Sequence, residues 1–290
     1  MVGVAWMLLT GALFVGVTAG VKMVGGRIPA AESAFLRYVL GLVFLIPMLK
    51  SLMAANLGRA DLTLSAARGL VHGFGVILWF FAMTRIPLAE VTAMNYLVPI
   101  YVTLGAALFL SEKLAARRIA AVICGLLGAL IILRPGLREV TPGHIAMLGT
   151  TLMFAASYLL AKRLADRLPP LAVVALLSIT VTIVLAPFAL ADWVTPNARE
   201  LGLLFVIATL ATGGHFTMTL AFRAAPIAVT QPVTFLQLVW ATLLGALAFG
   251  EKVDIWVIVG GVLILGSVSF ITWREAVLKR RARRIPTDHH

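Results

Sequence analysis

The sequence of 290 residues contains few charges: 12% of its residues are Asp, Glu, Lys or Arg, and 61% are hydrophobic. A soluble domain has about a quarter charged residues and about 45–50% apolar residues, so this composition excludes one. The few charges separate ten uncharged runs, most of them near the roughly 20 residues that a helix needs to cross hydrocarbon. The sequence therefore predicts an all-α polytopic membrane protein with ten transmembrane helices.

Cysteine is almost absent. The single Cys124 lies within an apolar run, which excludes a disulfide framework and a Cys-rich metal site. We expect no cofactor and no metal. Acidic residues are also scarce, and the formal net charge is +12. The residues between the basic positions are apolar, whereas nucleic-acid binding needs a water-exposed basic face. We therefore assign the excess positive charge to cytoplasmic loops and expect no nucleic-acid partner.

Carboxylates are missing from the interior of the predicted spans: Glu32 and Glu90 stand at helix starts, and Glu112 and Glu251 at helix ends. This absence weighs against a proton-coupled exporter of lipophilic cations, which needs a buried glutamate as the counter-charge. If protons are coupled to transport, His72 or His215 is the group expected to titrate. Otherwise transport is facilitated diffusion or exchange, driven by the substrate gradient.

The same absence argues against an intramembrane enzyme, because the span histidines have no carboxylate partner within the spans. We expect no catalytic residues.

Lys and Arg are divided unequally between alternate loops. With the N-terminus inside, sixteen fall on the cytoplasmic side and seven on the other. Because cytoplasmic loops carry an excess of these residues, both termini are expected in the cytoplasm of a bacterium, with the chain as a multi-pass protein of the inner (plasma) membrane. The lipid bilayer is then a partner, and the basic tail, residues 275–290, contacts its headgroups.

Two stretches of the chain recur at nearly one offset. Residues 82–113 align without a gap with residues 221–252, and ten of the 32 positions are identical. Residues 3–29 align with residues 143–169 at an offset of 140. The matches include Pro, Glu and Lys, which a shared apolar composition does not explain.

The matches predict two repeats, residues 1–138 and 139–274, followed by the tail. Each repeat contains five spans, and this odd number inverts the second repeat in the membrane. Inverted repeats are typical of transporters whose substrate site lies near the midplane between the halves.

The stretch RIPLAEVTAMNYLVPIYVTLGAALFLSEKL at 85–114 and its counterpart AAPIAVTQPVTFLQLVWATLLGALAFGEKV at 224–253 resemble the EamA-type, ten-helix branch of the drug/metabolite transporter superfamily. Bacterial amino-acid exporters of the YddG type are the most similar in length and layout. The resemblance implies a central cavity lined by the first four helices of each half, with the fifth and tenth helices outside.

Polar and aromatic stripes at helical spacing should face protein or water rather than lipid. They predict the substrate-binding residues Trp6, Thr10, Phe14, His72, Trp79, Asn95, Tyr96, Tyr158, His215, Gln231, Thr234, Gln237 and Trp240. Each has a structural alternative. A hydroxyl can bond back to its own helix, Trp6 can belong to an interfacial aromatic belt, and an amide can bond a neighbouring helix.

Arg37 is the guanidinium that the pattern of runs places clearly inside a span, whereas Arg68 falls at the end of the third run, 69–84. Arg37 is a candidate partner for a substrate carboxylate. The alternative is an arginine that holds backbone carbonyls near a helix end.

The leading hypothesis is an inner-membrane transporter that exports amino acids with aromatic or other apolar side chains, or related small metabolites, by alternating access. The alternative is a permease or exchanger for another metabolite, such as a nucleotide sugar or S-adenosylmethionine. Small residues on the fifth and tenth spans suit either packing on the bundle or a homodimer face, and we favour packing and a monomer.

Replacing Asn95, Gln237 or Trp79 is expected to abolish transport without loss of expression, because each side chain is assigned to the cavity. Substrate uptake into liposomes by each purified variant measures this. Unchanged transport in all three would refute the assignment.

Overall fold

The apolar runs form helices because a backbone that crosses hydrocarbon must satisfy its own hydrogen-bonding groups. The structure is a computed structural model that describes residues 2–109, 116–224 and 231–282. Its helices in chain order are α1 (Val2–Val24), α2 (Ala30–Gly41), α3 (Leu49–Ala54), α4 (Arg59–Met83), α5 (Leu88–Asn95), α6 (Leu97–Phe109), α7 (Ala116–Leu133), α8 (Pro142–Ala165), α9 (Pro170–Ala191), α10 (Ala198–Ala224), α11 (Phe235–Phe249) and α12 (Ile255–Ala282). Two 3₁₀ segments, Leu42–Met48 and Gln231–Thr234, precede α3 and α11.

Eight segments are long and apolar enough to cross a membrane, with α2, the first 3₁₀ segment and α3 counted as one. We assign the predicted fourth crossing to α5 and α6, and the predicted ninth crossing to the second 3₁₀ segment and α11. The predicted all-α polytopic fold is confirmed.

The fourth crossing is interrupted at Tyr96, between α5 and α6. Pro99 causes this interruption, because its ring has no N–H to donate to the carbonyl of Asn95 and clashes with that carbonyl. Asn95 and Tyr96 lie at the break.

The third crossing begins ten residues earlier than its uncharged run, because α4 starts at Arg59. The carboxylate of Asp61 accepts a hydrogen bond of 3.1 Å from the backbone N–H of Gly58 and caps the helix there. Arg68 is therefore inside the helix and buried, not at its end. We expected Arg37 alone to place a guanidinium clearly inside a span. This expectation is wrong, because Arg68 is also buried within a helix.

When each helix is replaced by its equivalent in the other predicted repeat, the main helix contacts map onto one another. The contact of α1 with α10 has its counterpart in the contact of α8 with α4, and the contact of α2 with α10 in that of α9 with α4. The α7–α12 contact maps onto itself, as do the α2–α9 and α5–α11 contacts. The packing thus has the pairing that an inverted repeat requires.

Two equivalent phenylalanine–glycine contacts join the repeats. A Cβ on Gly75 of α4 would lie 2.8 Å from the ring of Phe154, and a Cβ on Gly214 of α10 would lie 3.2 Å from the ring of Phe14. The phenylalanines are 140 residues apart and the glycines 139. In each contact the ring comes from one half and the glycine from the other, so glycine permits close approach of the halves.

The fifth and tenth crossings pack on each other through small residues. A Cβ on Gly128 of α7 would lie 2.7 Å from the carbonyl oxygen of Gly260 on α12. Large apolar side chains such as Leu127, Leu130 and Val259 point outward on the same helices. An apolar exterior of this kind is suited to lipid.

Some sequence features lie outside the described residues. They are the Glu112-Lys113 pair, Pro226 and most of the basic tail.

Gly128→Ala is expected to destabilise the protein by about 1–3 kcal/mol, because the added methyl group meets backbone that cannot rotate away. The matched control is Gly266→Ala on α12, where a Cβ meets nothing within 4 Å. Thermal unfolding of both variants in detergent measures the difference. Equal midpoints would contradict the close backbone contact.

Candidate substrate-binding site

Aromatic side chains of α4 and α8 form the first part of the site. The ring of Phe154 is stacked on the imidazole of His72, with centroids 4.8 Å apart, and is edge-on to Trp79 at 6.0 Å. The Nδ1 atom of His72 lies 3.1 Å from the hydroxyl of Ser157. The cluster combines flat apolar faces with an imidazole and a hydroxyl.

An equivalent cluster lies between α1 and α10. The ring of Phe14 is edge-on to His215, with centroids 5.2 Å apart. One turn away, the hydroxyls of Thr10 and Thr217 are 2.9 Å apart, and Thr10 also donates to the carbonyl of Trp6 at 2.8 Å. Each half therefore places a phenylalanine beside a histidine of the other half, and the histidines differ by one turn from strict equivalence.

The ninth crossing closes the site from the opposite side. A Cβ on Gly11 of α1 would lie 3.2 Å from the ring of Trp240 and 3.5 Å from the Cβ of Gln237. At the break of the fourth crossing, the hydroxyl of Tyr96 donates to the carbonyl of Thr234 at 2.7 Å. This bond joins the fourth and ninth crossings, which are repeat equivalents.

Several buried polar atoms in α2, α4 and α5, which we call the central helices, have no hydrogen-bond partner. They are Nε1 of Trp79, Oδ1 of Asn95, and Nε of both Arg37 and Arg68. An unpaired polar group costs free energy inside a protein. These four atoms provide three donors and one acceptor that a polar ligand can satisfy, while Glu32 Oε1, Asp61 Oδ1 and Ser65 Oγ are also without a hydrogen bond in the first two turns of α2 and α4.

The two guanidiniums lie on α2 and α4, which pack against each other, and each has a tyrosine in its surroundings. Arg37 lies over the ring of Tyr38, 4.4 Å from its centroid. The Nη1 atom of Arg68 donates to the carbonyl of Val173 at 3.2 Å. Tyr158 of α8 is 46% exposed and lies within the electrostatic influence of Arg68. Within the described part of the chain, neither guanidinium forms an ion pair with a carboxylate.

The structure places most of the predicted residues in the groups described above. Trp6 lies one turn beyond Thr10 and is half-buried, and only its carbonyl contacts the site through that threonine. Gln231 begins the 3₁₀ segment of the ninth crossing, and its side chain lies outside the described residues.

Two central residues were missing from the predicted set, Phe154 and Arg68. The repeat contained a signal for Phe154, because it aligns with Phe14. The signal for Arg68 was the Gly58–Asp61 cap, which moves the start of α4 and places the arginine inside the membrane.

Ion pairs join helix ends on the side that the loop charges assign to the outside. Both terminal nitrogens of Arg138 donate to the carboxylate of Glu90, at 2.9 and 2.7 Å, and His144 contacts the same carboxylate. The hydrogen bonds from Arg138 to Glu90 hold the pKa of Arg138 above its usual range, so it stays charged. Arg134 pairs with Asp254 in the same region.

Two further pairs extend this region, Lys22 with Glu251 and Arg27 with Glu200. At the other end, the described residues contain the pair Arg167–Asp61, at 3.0 Å. Polar contacts thus close one end of the bundle more completely than the other in the part of the chain that the structure describes.

No group of three His, Cys, Asp or Glu side chains is placed to hold a metal ion in residues 2–109, 116–224 and 231–282.

Comparison with known proteins gives a family and several similar transporters. The model of the EamA-like transporter family matches residues 1–134 and again residues 141–273. An S-adenosylmethionine uptake transporter of Rickettsia prowazekii is 25% identical over 94% of this chain and 93% of its own length. A riboflavin transporter of Vibrio cholerae is 28% identical over 98% and 97%, and a pseudopaline exporter of Pseudomonas aeruginosa is 28% identical over 91% and 93%.

A solved crystal structure superimposes on 95% of this chain and 98% of its own, with a TM-score of 0.61 and 18% identity. At that identity the likeness concerns the fold.

Glu90→Gln is expected to cost about 3 kcal/mol of stability, because it leaves Arg138 and His144 facing a neutral amide in a buried position. Thermal unfolding in detergent measures the loss. Glu139→Gln is the matched control, since Glu139 is exposed in the same loop as Arg138 and forms no ion pair with any described residue. An equal effect of the two substitutions would show that the Glu90 cluster does not stabilise this end.

Proposed function

Because the chain belongs to the EamA-like transporter family, we propose that it moves a small polar metabolite across the bacterial inner membrane by alternating access of two inverted halves. The halves are residues 1–138 and 139–274, with both termini in the cytoplasm. The chain is a multi-pass membrane protein of a bacterial transporter family, and similar proteins are named as transporters. We propose no catalytic step for it.

One observation carries the location of the site. The polar atoms of Trp79, Asn95, Arg37 and Arg68 that have no partner belong to the central helices, next to the aromatic cluster of α4 and α8. The equivalent Phe14–His215 contact supports a site that both halves share. Exchange of the packing between the two halves would then open the site to one side and the other in turn.

The substrate that we propose is a metabolite with a planar ring system, of the nucleoside or flavin class. Trp79 and Phe154 offer flat faces on which a ring can stack. The names of the similar proteins support this class, since S-adenosylmethionine and riboflavin both contain fused heterocycles. They support the metabolite alternative better than an amino-acid exporter of the YddG type.

Free aromatic amino acids are the competing substrates. Like S-adenosylmethionine, and unlike riboflavin, they carry a carboxylate that an arginine can bind. The free amino acids are smaller than the ring-bearing metabolites and have no second polar ring. Comparing the uptake of the two groups of compounds therefore distinguishes the two substrate classes.

Purified protein in liposomes is expected to take up labelled S-adenosylmethionine or riboflavin faster than protein-free liposomes. Trp79→Ala is expected to reduce uptake to the level of protein-free liposomes, because the substrate ring loses a stacking surface that contributes about 1–3 kcal/mol. Trp256→Ala is the control, since Trp256 is exposed on the outer surface of α12.

Uptake of aromatic amino acids without uptake of either ring-bearing metabolite would overturn the proposed substrate class. An equal response of the Trp79 and Trp256 variants would overturn the proposed site. No uptake of any of these compounds by folded protein would overturn both.

A further inference from the structure

Two guanidiniums in the centre of the bundle lack a compensating carboxylate. Arg68 is buried inside α4, and Arg37 lies on α2, which packs against α4. In the part of the chain that the structure describes, no ion pair neutralises either of them. Uncompensated charge in a low-dielectric interior is unfavourable, and a bound anion relieves this cost.

The charges of both arginines act on the same neighbours. Arg37 and Arg68 each exert an electrostatic influence on the imidazole of His72 and on that of His215. These histidines lie on α4 and α10, in the two halves. The helices that carry the arginines, α2 and α4, pack against each other, and both pack against α9.

The groups around the arginines are mostly hydrogen-bond donors. The Nε atoms of both guanidiniums are buried and without a partner. Tyr38 and Tyr158, which contribute hydroxyls, lie within electrostatic reach of Arg68. Guanidinium nitrogens and hydroxyls together bind the oxygens of a carboxylate or a phosphate, and guanidinium is suited to both by its planar fork.

Six of the described carboxylates have partners other than the two arginines, and one of them, Glu32, is buried near the start of α2 and accepts from the backbone N–H of Val194. Glu90, Glu200, Glu251 and Asp254 all form ion pairs at the end that is assigned to the outside. Asp61 pairs with Arg167 at the other end. Beyond the first turn of each helix, this distribution leaves the described central helices with positive charge and donors, so they are a poor environment for a cation.

We propose that Arg37 and Arg68 form an anion-recognition site that binds an acidic group of the transported metabolite and makes the protein select against metabolites of net positive charge. The inference rests on the proposed transport function and refines its substrate class. The acidic group is a carboxylate or a phosphate, which share the chemistry of oxygens that accept from guanidinium. Arg37 and Arg68 are then specificity-determining residues.

The test compares pairs of compounds that share a ring and differ in charge. Riboflavin and flavin mononucleotide differ by a phosphate. S-adenosylmethionine and decarboxylated S-adenosylmethionine share the positive charge of the sulfonium and differ by the carboxylate. Binding of each compound to the purified full-length protein is measured by thermal shift and by competition against uptake in liposomes.

Flavin mononucleotide is expected to bind about tenfold or more tightly than riboflavin if phosphate is recognised, since hydrogen bonds to charged groups contribute about 1.5–3 kcal/mol. If a carboxylate is recognised, S-adenosylmethionine is expected to bind about tenfold more tightly than its decarboxylated form. Either preference supports the site and names its anion. Equal binding within both pairs would overturn the anion inference while leaving transport intact.

Two substitutions test the residues themselves. Arg37→Gln and Arg68→Gln are each expected to remove the preference within the responding pair, with little effect on the less acidic member of that pair. Arg59→Gln is the matched control, because Arg59 is exposed at the start of the same helix as Arg68. Loss of the preference in the Arg59 variant as well would overturn the assignment.

Where a glutamine variant does not fold, Arg37→Lys and Arg68→Lys keep the charge and lose the planar fork. A partial loss of the preference is then expected, and an unchanged preference would overturn the role of the guanidinium. If no compound binds to folded wild-type protein and none is transported, the proposed function fails as well. Transport without charge preference overturns this inference alone.

Discussion

The close approach of α1 to α10 and of α4 to α8 is the contact on which the rest of the structure depends. At each contact a phenylalanine of one half lies against a glycine of the other, Phe14 on Gly214 and Phe154 on Gly75. Neither half can bury these faces alone, because the partner surface belongs to the other repeat. The same two phenylalanines contact His215 and His72. The contact that joins the halves therefore also builds the walls of the candidate site.

Charge is arranged around this contact in two different ways. At one end of the bundle, carboxylates and bases neutralise each other, as in the Arg138–Glu90–His144 cluster. In the centre, Arg37 and Arg68 have no carboxylate partner among the described residues. Paired charges stabilise the fold where water is near, whereas unpaired charges in a low-dielectric centre are costly and are typical of functional sites. This contrast makes the centre the natural place for an acidic ligand.

The break in the fourth crossing shows how a single proline changes the backbone of the candidate site. Pro99 removes one helical hydrogen bond and ends α5 at Asn95. The hydroxyl of Tyr96 reaches the carbonyl of Thr234 on the equivalent crossing of the other half. Broken helices at membrane depth are tolerated where the freed groups face protein or a cavity, and the unpartnered Oδ1 of Asn95 lies at this point.

The sequence by itself determined the all-α polytopic membrane class and predicted ten crossings in two repeats, because hydrophobic length and matched residues are properties of the chain alone. It also indicated Phe14, His72, Trp79 and His215 through helical spacing. Only the tertiary structure decided which side chains meet and which charges remain unpaired, since Arg68 looked like a loop residue until its helix was seen to start at Arg59. The contacts of Phe154 and Arg68 join residues far apart in the chain, and no local pattern specifies such a meeting.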